Sequence, residues 1–247
     1  MILTIAHKEF RSLFTAPTTW IILGALQFIF AWFFLLLLDD FLQKQVQYAQ
    51  LLNPPGATQS IASPLLGTVA FVLMMLVPIF SMRLISEERR NQTLVLLLAA
   101  PVSCWEIIAG KFLGMLLFLS LLIAACLLML MTLTLGTHVD FGLLLTNILG
   151  LFLLTACYTA LGLYFSTLTA QPIVAATSTL ATLFALWLLD ISGPNTRIML
   201  KSLSPTQHFQ SFSNGLLLSK DFAYFLLFIS ICLLLAIRRL HNSRIYG

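Results

Sequence analysis

Residues 112–131 read FLGMLLFLSLLIAACLLMLM, a run of 20 positions without a charged side chain. An α-helix rises about 1.5 Å per residue, so a run of this length matches a hydrocarbon core about 30 Å thick. The run is continuously apolar, whereas the strands of a membrane β-barrel alternate over segments of about ten residues. It therefore predicts a membrane-spanning α-helix.

The rest of the chain has the same character. Of its 247 residues, 60% are hydrophobic and only 9% are charged. A soluble domain carries about 25% charged residues, so this composition excludes an ordinary soluble protein. The sequence predicts one all-α integral membrane domain over residues 1–247, with six transmembrane helices at 18–38, 64–82, 108–134, 142–165, 172–191 and 222–237.

The N-terminal segment 1–16 precedes the first of these runs. Its apolar residues recur at helical spacing, and its basic residues fall on other faces. This pattern predicts an amphipathic helix lying in the membrane interface, and Pro17 should end it. A positively charged topogenic stub without a fixed structure is the alternative.

The distribution of Lys and Arg predicts the orientation, because cytoplasmic loops carry the excess. With the N-terminus inside, four of the 13 basic residues lie outside, namely Lys44, Arg197, Lys201 and Lys220. The other nine lie inside, and an even number of spans places both termini in the cytoplasm. This bias accounts for a pI near 9.0 without nucleic acid as a partner.

The most informative loop is RLISEERRNQTLVLLLAAPVSCWEIIAGK, residues 83–111. It predicts a short, highly charged helix joined to an apolar one, followed by a new helix that begins at a capping box of Ser103 and Glu106. Charged turns after a transmembrane helix often act only as stop-transfer signals. The mixed signs and the apolar continuation suit docking against another protein better.

Two outside segments carry weaker signals. Ser63-Pro64 is expected to cap the second span, after a short amphipathic helix that follows the first. Residues 204–215 predict a re-entrant or interfacial helix before the last span, with a plain loop as the alternative.

Gly110 and Gly114 form a small-residue face that serves either packing within the bundle or contact with a second copy.

The sequence contains no pattern of residues that is typical of a catalytic site. It contains neither HExxH nor GxSxG nor a phosphate-binding loop, and its four cysteines lack zinc spacing. We therefore expect no catalytic residue, cofactor or metal site. Hydrogen bonding between helices accounts for most polar groups inside the spans, and lining of a transport path is the second interpretation. The candidate path residues are Asn147, Thr155, Tyr158, Thr159, Thr177 and Thr182.

Four stretches together resemble one family. They are AHKEFRSLFTAPTTW, RLISEERRNQTLVLLLAAPVSCWEIIAGKFLG, YTALGLYFSTLTAQPIVA and LSPTQHFQSFSNGLL. The chain resembles ABC-2-type ABC transporter permeases, and most closely the gliding-motility-type (GldF-like) permease subunits, with the nitrous-oxide-reductase maturation permease further off. The second stretch is the most specific, since the family typically shows SEE(K/R)(K/R), then an apolar helix and a proline turn.

The resemblance implies a membrane-spanning permease subunit of an ATP-driven transporter in the bacterial cytoplasmic (inner) membrane. It implies a second permease subunit, as a homodimer or heterodimer, and a cytoplasmic ABC ATPase dimer that binds ATP and Mg²⁺, and it leaves room for an accessory periplasmic or membrane protein. Residues 1–16 correspond to an elbow helix, and the loop after span two to a cytoplasmic coupling helix. The implied ATPase-coupling residues are Ser86, Glu87, Glu88, Arg89, Arg90, Asn91, Gln92 and Thr93.

Two other classes of function stay open at this point. One is an ATP-independent membrane scaffold or assembly factor, and the other is a secondary transporter. The central turns of the predicted spans hold no ionisable residue, which disfavours a proton relay. With few polar residues in the spans and no large outside domain, a lipid-like or amphipathic cargo is favoured.

Overall fold

The computed structural model describes residues 1–48, 56–93, 102–137, 139–191 and 202–246, and it contains no β-strand within them. The helices of at least nine residues in these ranges are Ile2–Thr15, Pro17–Tyr48, Ser63–Ser81, Cys104–Met131, Phe141–Leu168, Pro172–Ile191, Pro205–Ser213 and Ser219–Tyr246. The all-α prediction is confirmed.

Six helical segments of the described chain are long and apolar enough to cross a membrane, which confirms the predicted number of spans. We call them spans one to six in chain order. They are Pro17–Lys44, Thr58–Arg90, Cys104–Leu135, Phe141–Leu168, Pro172–Asp190 and Ser219–Ser243. We call Ile2–Thr15 the N-terminal helix and Pro205–Ser213 the short helix.

Span four forms the centre of the bundle. Within its most apolar window 72% of the residues are buried, against 17% for spans one and five. Glycines allow neighbours to approach span four closely, since a methyl group at Gly150 would overlap Phe212 and one at Gly162 would overlap Ser81. Spans two, three, five and six and the short helix all contact span four. Spans one and five lie at the periphery of the bundle, because so few of their residues are buried.

Local sequence signals have mixed outcomes. The capping box is confirmed: Ser103 Oγ accepts from Glu106 N at 3.3 Å, and Glu106 Oε2 accepts from Ser103 N at 3.1 Å. The helix expected within 204–215 is present as Pro205–Ser213, and Gly215 follows it with φ of 78°. The apolar helix expected after Thr93 falls in 94–101, outside the described residues.

The predicted N-cap at Ser63 is wrong. A π-helical turn at Thr58–Ala62 continues directly into the helix, so Ser63 has helical backbone angles and no free helix end to cap. Its hydroxyl instead donates to the Ser213 carbonyl at 3.2 Å, which ties span two to the end of the short helix. The short amphipathic helix expected after span one is also not separate, because Pro17–Tyr48 is continuous.

Candidate functional site

A buried lysine joins three distant segments at the end of the bundle where the N-terminal helix lies, which we call the N-terminal face. The Lys111 side chain is 1% exposed. Its Nζ lies 2.7 Å from Glu9 Oε1 of the N-terminal helix and 2.8 Å from Glu88 Oε1 near the end of span two. We call these three residues the charged junction.

Small residues bring the helices of the junction together. A methyl group at Gly110 would lie 2.7 Å from Ile5 Cβ, and one at Gly114 would lie 2.8 Å from the Ala6 carbonyl oxygen. The N-terminal helix therefore rests directly on the first turns of span three. Within this structure the small-residue face serves packing inside the chain.

The acidic and basic groups of the junction are unequal in number, because two carboxylates share one ammonium group. Glu9 and Glu88 keep side-chain exposures of 14% and 21%, so each is mostly desolvated. Glu88 Oε2 has no hydrogen-bond partner among the described residues. A cavity of about 330 Å³ lies beside the junction, with Arg83 and Glu87 also in its wall. Removing the lysine would leave two mostly buried carboxylates without their cation.

Span four anchors the same region from the other side. A π-helical turn at Arg83–Glu87 lies near the end of span two, and two of its backbone N–H groups point toward Ser166 near the end of span four. Ser166 Oγ accepts from Ile85 N at 3.1 Å and from Ser86 N at 3.0 Å. Such π-helical turns are frequent at functional sites. The end of span two is thus held by spans three and four together.

The eight predicted coupling residues divide into two groups. Three face the bundle: Ser86 is fully buried, Glu88 joins the charged junction, and Arg89 Nη1 donates to the Thr167 carbonyl at 3.4 Å. The exposed group consists of Glu87, Arg90, Asn91, Gln92 and Thr93. The predicted set therefore combines an outer surface with the contacts that fix this surface to the spans.

The predicted path residues differ in their surroundings. Tyr158 lines a cavity of about 200 Å³ at the opposite face, which Trp187 and Asp190 also line; we call it the aromatic cavity, since Phe71 lines it as well. Asn147 is buried, and its Nδ2 donates to the Leu143 carbonyl at 2.8 Å. The remaining hydroxyls donate to carbonyls four residues earlier on their own helices; they belong to Thr155, Thr159, Thr177 and Thr182.

A second buried contact between ionisable side chains lies at the opposite face. His208 Nδ1 of the short helix lies 2.6 Å from Asp221 Oδ1 at the start of span six. His208 Nε2 lies 2.9 Å from the Ser202 carbonyl oxygen, and its ring stacks on Tyr224 at 4.0 Å between centroids. The short helix is thereby fastened to span six.

Sequence reasoning missed both buried pairs. The charge distribution treats Lys111 only as a topogenic residue, although its position inside an otherwise apolar helical turn indicates a buried partner. Neither Glu9 nor Ser166 carries a local signal, because their partners are far away in sequence. The described residues contain no group of three or more His, Cys, Asp or Glu side chains able to hold a metal ion.

These observations define a polytopic α-helical membrane protein with a charged junction at one face and an aromatic cavity at the other. The sequence profile of the ABC-2 family transporter proteins matches residues 3–243, which is nearly the full length. The chain belongs to this family. A comparison with curated proteins finds none that matches.

Proposed function

We propose that this chain is the membrane-spanning permease subunit of an ATP-driven transporter. Its exposed coupling residues Glu87 and Arg90–Thr93 form the contact surface for a cytoplasmic ABC ATPase, which binds ATP and Mg²⁺. The family match over residues 3–243 carries this proposal. A neighbouring gene for a protein with a phosphate-binding loop would support it.

The charged junction and Ser166 provide the route by which force reaches the spans. A displacement of residues 86–93 pulls on Lys111 through Glu88 and on span four through Ser166 and Thr167. The N-terminal helix moves with them, because Glu9 shares the same ammonium group. Closure of the ATPase dimer would therefore reorient spans three and four together.

The proposed assembly places this chain in the bacterial inner membrane with both termini in the cytoplasm. It pairs there with a second permease subunit, identical or different, and with two ATPase subunits. The peripheral spans one and five expose apolar side chains that are available for lipid or for that second subunit. The gliding-motility-type permeases are the proposed subtype.

Charge reversal at two adjacent glutamates tests the division of the coupling segment. Glu87→Lys should lower transport and ATPase stimulation while the protein inserts and unfolds as the wild type does, because Glu87 is exposed. Glu88→Lys should lower transport, ATPase stimulation and the unfolding temperature, because it places a second cation beside buried Lys111. Equal unfolding temperatures for the two variants, each below the wild type, would contradict this division.

Co-purification separates the proposal from its alternatives. A permease subunit should co-isolate with an ATP-binding protein and stimulate its hydrolysis, whereas a scaffold should do neither. Dissipating the membrane potential should leave transport intact if ATP drives it and should stop a secondary transporter.

A further inference from the structure

The outer surface of the N-terminal helix is basic. His7, Lys8 and Arg11 are exposed, and together with three hydroxyl-bearing residues they line a recess, which we call the basic recess. Its described lining contains no acidic residue, and none of the three side chains belongs to an ion pair within the described ranges. The adjacent carboxylate of Glu9 lies on the packed face of the helix, where Lys111 binds it. The basic recess therefore offers two cations, those of Lys8 and Arg11, to a ligand.

An apolar groove begins at the same helix. His7 lines both the basic recess and this groove, which has a volume of about 520 Å³. Leu3 and Phe10 supply the wall from the N-terminal helix. The wall from span three follows helical spacing, so its members share one face. These members are Leu117, Ser120, Leu121 and Ala124.

A second groove continues the first along span three. Ser120 and Ala124 line both, and the second has a volume of about 590 Å³ between spans three and four, as far as Leu127. We call the two together the apolar groove. From Leu117 to Leu127 the helix rises about 15 Å, which is half of a hydrocarbon core about 30 Å thick. The apolar groove therefore has the length of an acyl chain that crosses one leaflet.

The charge of the basic recess selects among lipids. Arg forms paired hydrogen bonds to phosphate oxygens, and Lys adds a point charge. Basic pockets beside transmembrane helices bind anionic head groups for this reason. A zwitterionic head group would bring its own ammonium group close to Lys8 and Arg11. The basic recess and the apolar groove, which meet at His7, thus complement an anionic phospholipid in both of its parts.

We propose that one anionic phospholipid binds here, with its phosphate in the basic recess and one acyl chain in the apolar groove. Lys8 and Arg11 contact the phosphate, and His7 lies where the head group meets the chain. The lipid contacts both the N-terminal helix and span three, so it stabilises their packing beside the charged junction. This inference requires only a chain that spans the membrane, and it depends on neither ATP nor an ATPase partner.

A charge variant tests the head-group contact. Lys8→Gln combined with Arg11→Gln removes both cations of the basic recess from exposed positions. Arg238→Gln combined with Arg239→Gln is the matched control, because these two exposed residues of span six line neither the basic recess nor the apolar groove. Both double variants lower the net charge of the chain by two.

A filling variant tests the chain contact. Ala124 is exposed and lies where the two parts of the apolar groove meet, so Ala124→Phe places a ring in the space of the acyl chain. Ala181 is an exposed alanine of span five outside the groove, and Ala181→Phe is therefore the matched control. Equal unfolding temperatures of the two phenylalanine variants would show that Ala124→Phe remains folded.

The test is native mass spectrometry of the purified full chain, stripped of lipid in a mild detergent and titrated with phosphatidylglycerol. Phosphatidylcholine with identical chains and glycerol 3-phosphate without chains are the comparison ligands. We expect one saturable site for phosphatidylglycerol and at least about tenfold weaker binding of the other two. The Lys8/Arg11 double variant should bind about 25-fold more weakly, about fivefold for each lost cation. Ala124→Phe should weaken binding about tenfold, and both controls should bind as the wild type does.

Equal affinity for phosphatidylcholine would overturn the proposal, since the cations would then select nothing. Equal binding of glycerol 3-phosphate, or unchanged affinity in Ala124→Phe, would show that the apolar groove holds no acyl chain. An equal loss in the Arg238/Arg239 control would reduce the effect to overall charge and would also overturn the site. Because no ATPase is present, each of these failures is separate from failure of the proposed transport function.

Discussion

The two buried groups of ionisable side chains differ in what they connect. The charged junction at the N-terminal face joins residues 102 and 23 positions apart in sequence. The His208–Asp221 pair at the opposite face joins residues only 13 positions apart. Lys111 and Asp221 are each about 1% exposed, so burial does not distinguish the pairs. Connectivity does: the junction links separate helices to an exposed surface, whereas the second pair fastens one connecting segment.

This contrast suggests different duties for the two faces. A pair that spans three segments converts movement of one into movement of the others, which suits coupling. A local pair holds a short helix in place and preserves the wall of the aromatic cavity, since Phe209 and Gln210 of that helix line it. Substitutions at the N-terminal face should therefore impair coupling more than substitutions at the opposite face do.

Breaking the charged junction should have the largest effect. Lys111→Met leaves Glu9 and Glu88 without their shared cation, and loss of one partner from a buried pair costs about 3–5 kcal/mol. Chemical denaturation in detergent measures this loss. Adding Glu9→Gln and Glu88→Gln to Lys111→Met should restore most of the stability; failure of the triple variant to recover would show that packing of the lysine stem matters more than charge.

Breaking the pair at the opposite face should cost less. His208→Phe keeps a ring against Tyr224 but removes both hydrogen bonds of the imidazole, and it leaves the Asp221 carboxylate buried. We expect a loss of about 1–3 kcal/mol in the same denaturation experiment. ATPase stimulation should remain normal, and a decrease as large as that of Lys111→Met would contradict the separation of duties.

Removing the Ser166 hydroxyl tests whether coupling depends on the charged junction alone or also on the hydrogen bonds to span four. Ser166→Ala deprives Ile85 N and Ser86 N of their acceptor, and a smaller stability loss of about 1 kcal/mol is expected. ATPase stimulation should fall by more than this loss of folded protein explains. Ser166→Thr, which retains the hydroxyl, is the comparison, and equal stimulation by the two variants would show that the anchor does not transmit force.

The smallest effects should come from hydroxyls within span four. Thr155 and Thr159 donate to carbonyls of their own helix at 2.7 and 2.8 Å, so neither hydrogen bond joins two elements. Valine at either position should change stability by no more than about 0.6 kcal/mol and leave transport unaltered. A selective loss of transport in these variants would instead place them on the substrate path.

How much of this molecule is predictable from sequence depends on the distance over which each signal acts. The spans follow from run length alone, and the Ser103–Glu106 capping box is complete within four residues. The N-cap at Ser63 failed because a π-helical turn upstream extended the helix, which depends on packing rather than on a local residue pattern. Only the fold brings Glu9 and Lys111 together.

The candidate site shows the same limit. Composition identified 86–93 as a charged segment, but no pattern within SEERR distinguishes Glu87, which faces solvent, from Glu88, which binds Lys111. The position of each glutamate around the axis of span two decides this difference, and the π-helical turn at Arg83–Glu87 changes that position. The grouping of Phe71, Tyr158 and Trp187 comes from three different spans and has no signature in any one of them.

Photo-crosslinking tests the central claim most directly. A photoreactive amino acid at Arg90, which is exposed on the coupling segment, should capture an ATP-binding protein in intact membranes, with a yield that changes when ATP is added. The same group at Leu128, which is 70% exposed on span three, should capture lipid or a membrane partner instead. Absence of an ATP-binding protein from the adduct at position 90, or equal capture at both positions, would contradict the assignment of this segment as the ATPase contact.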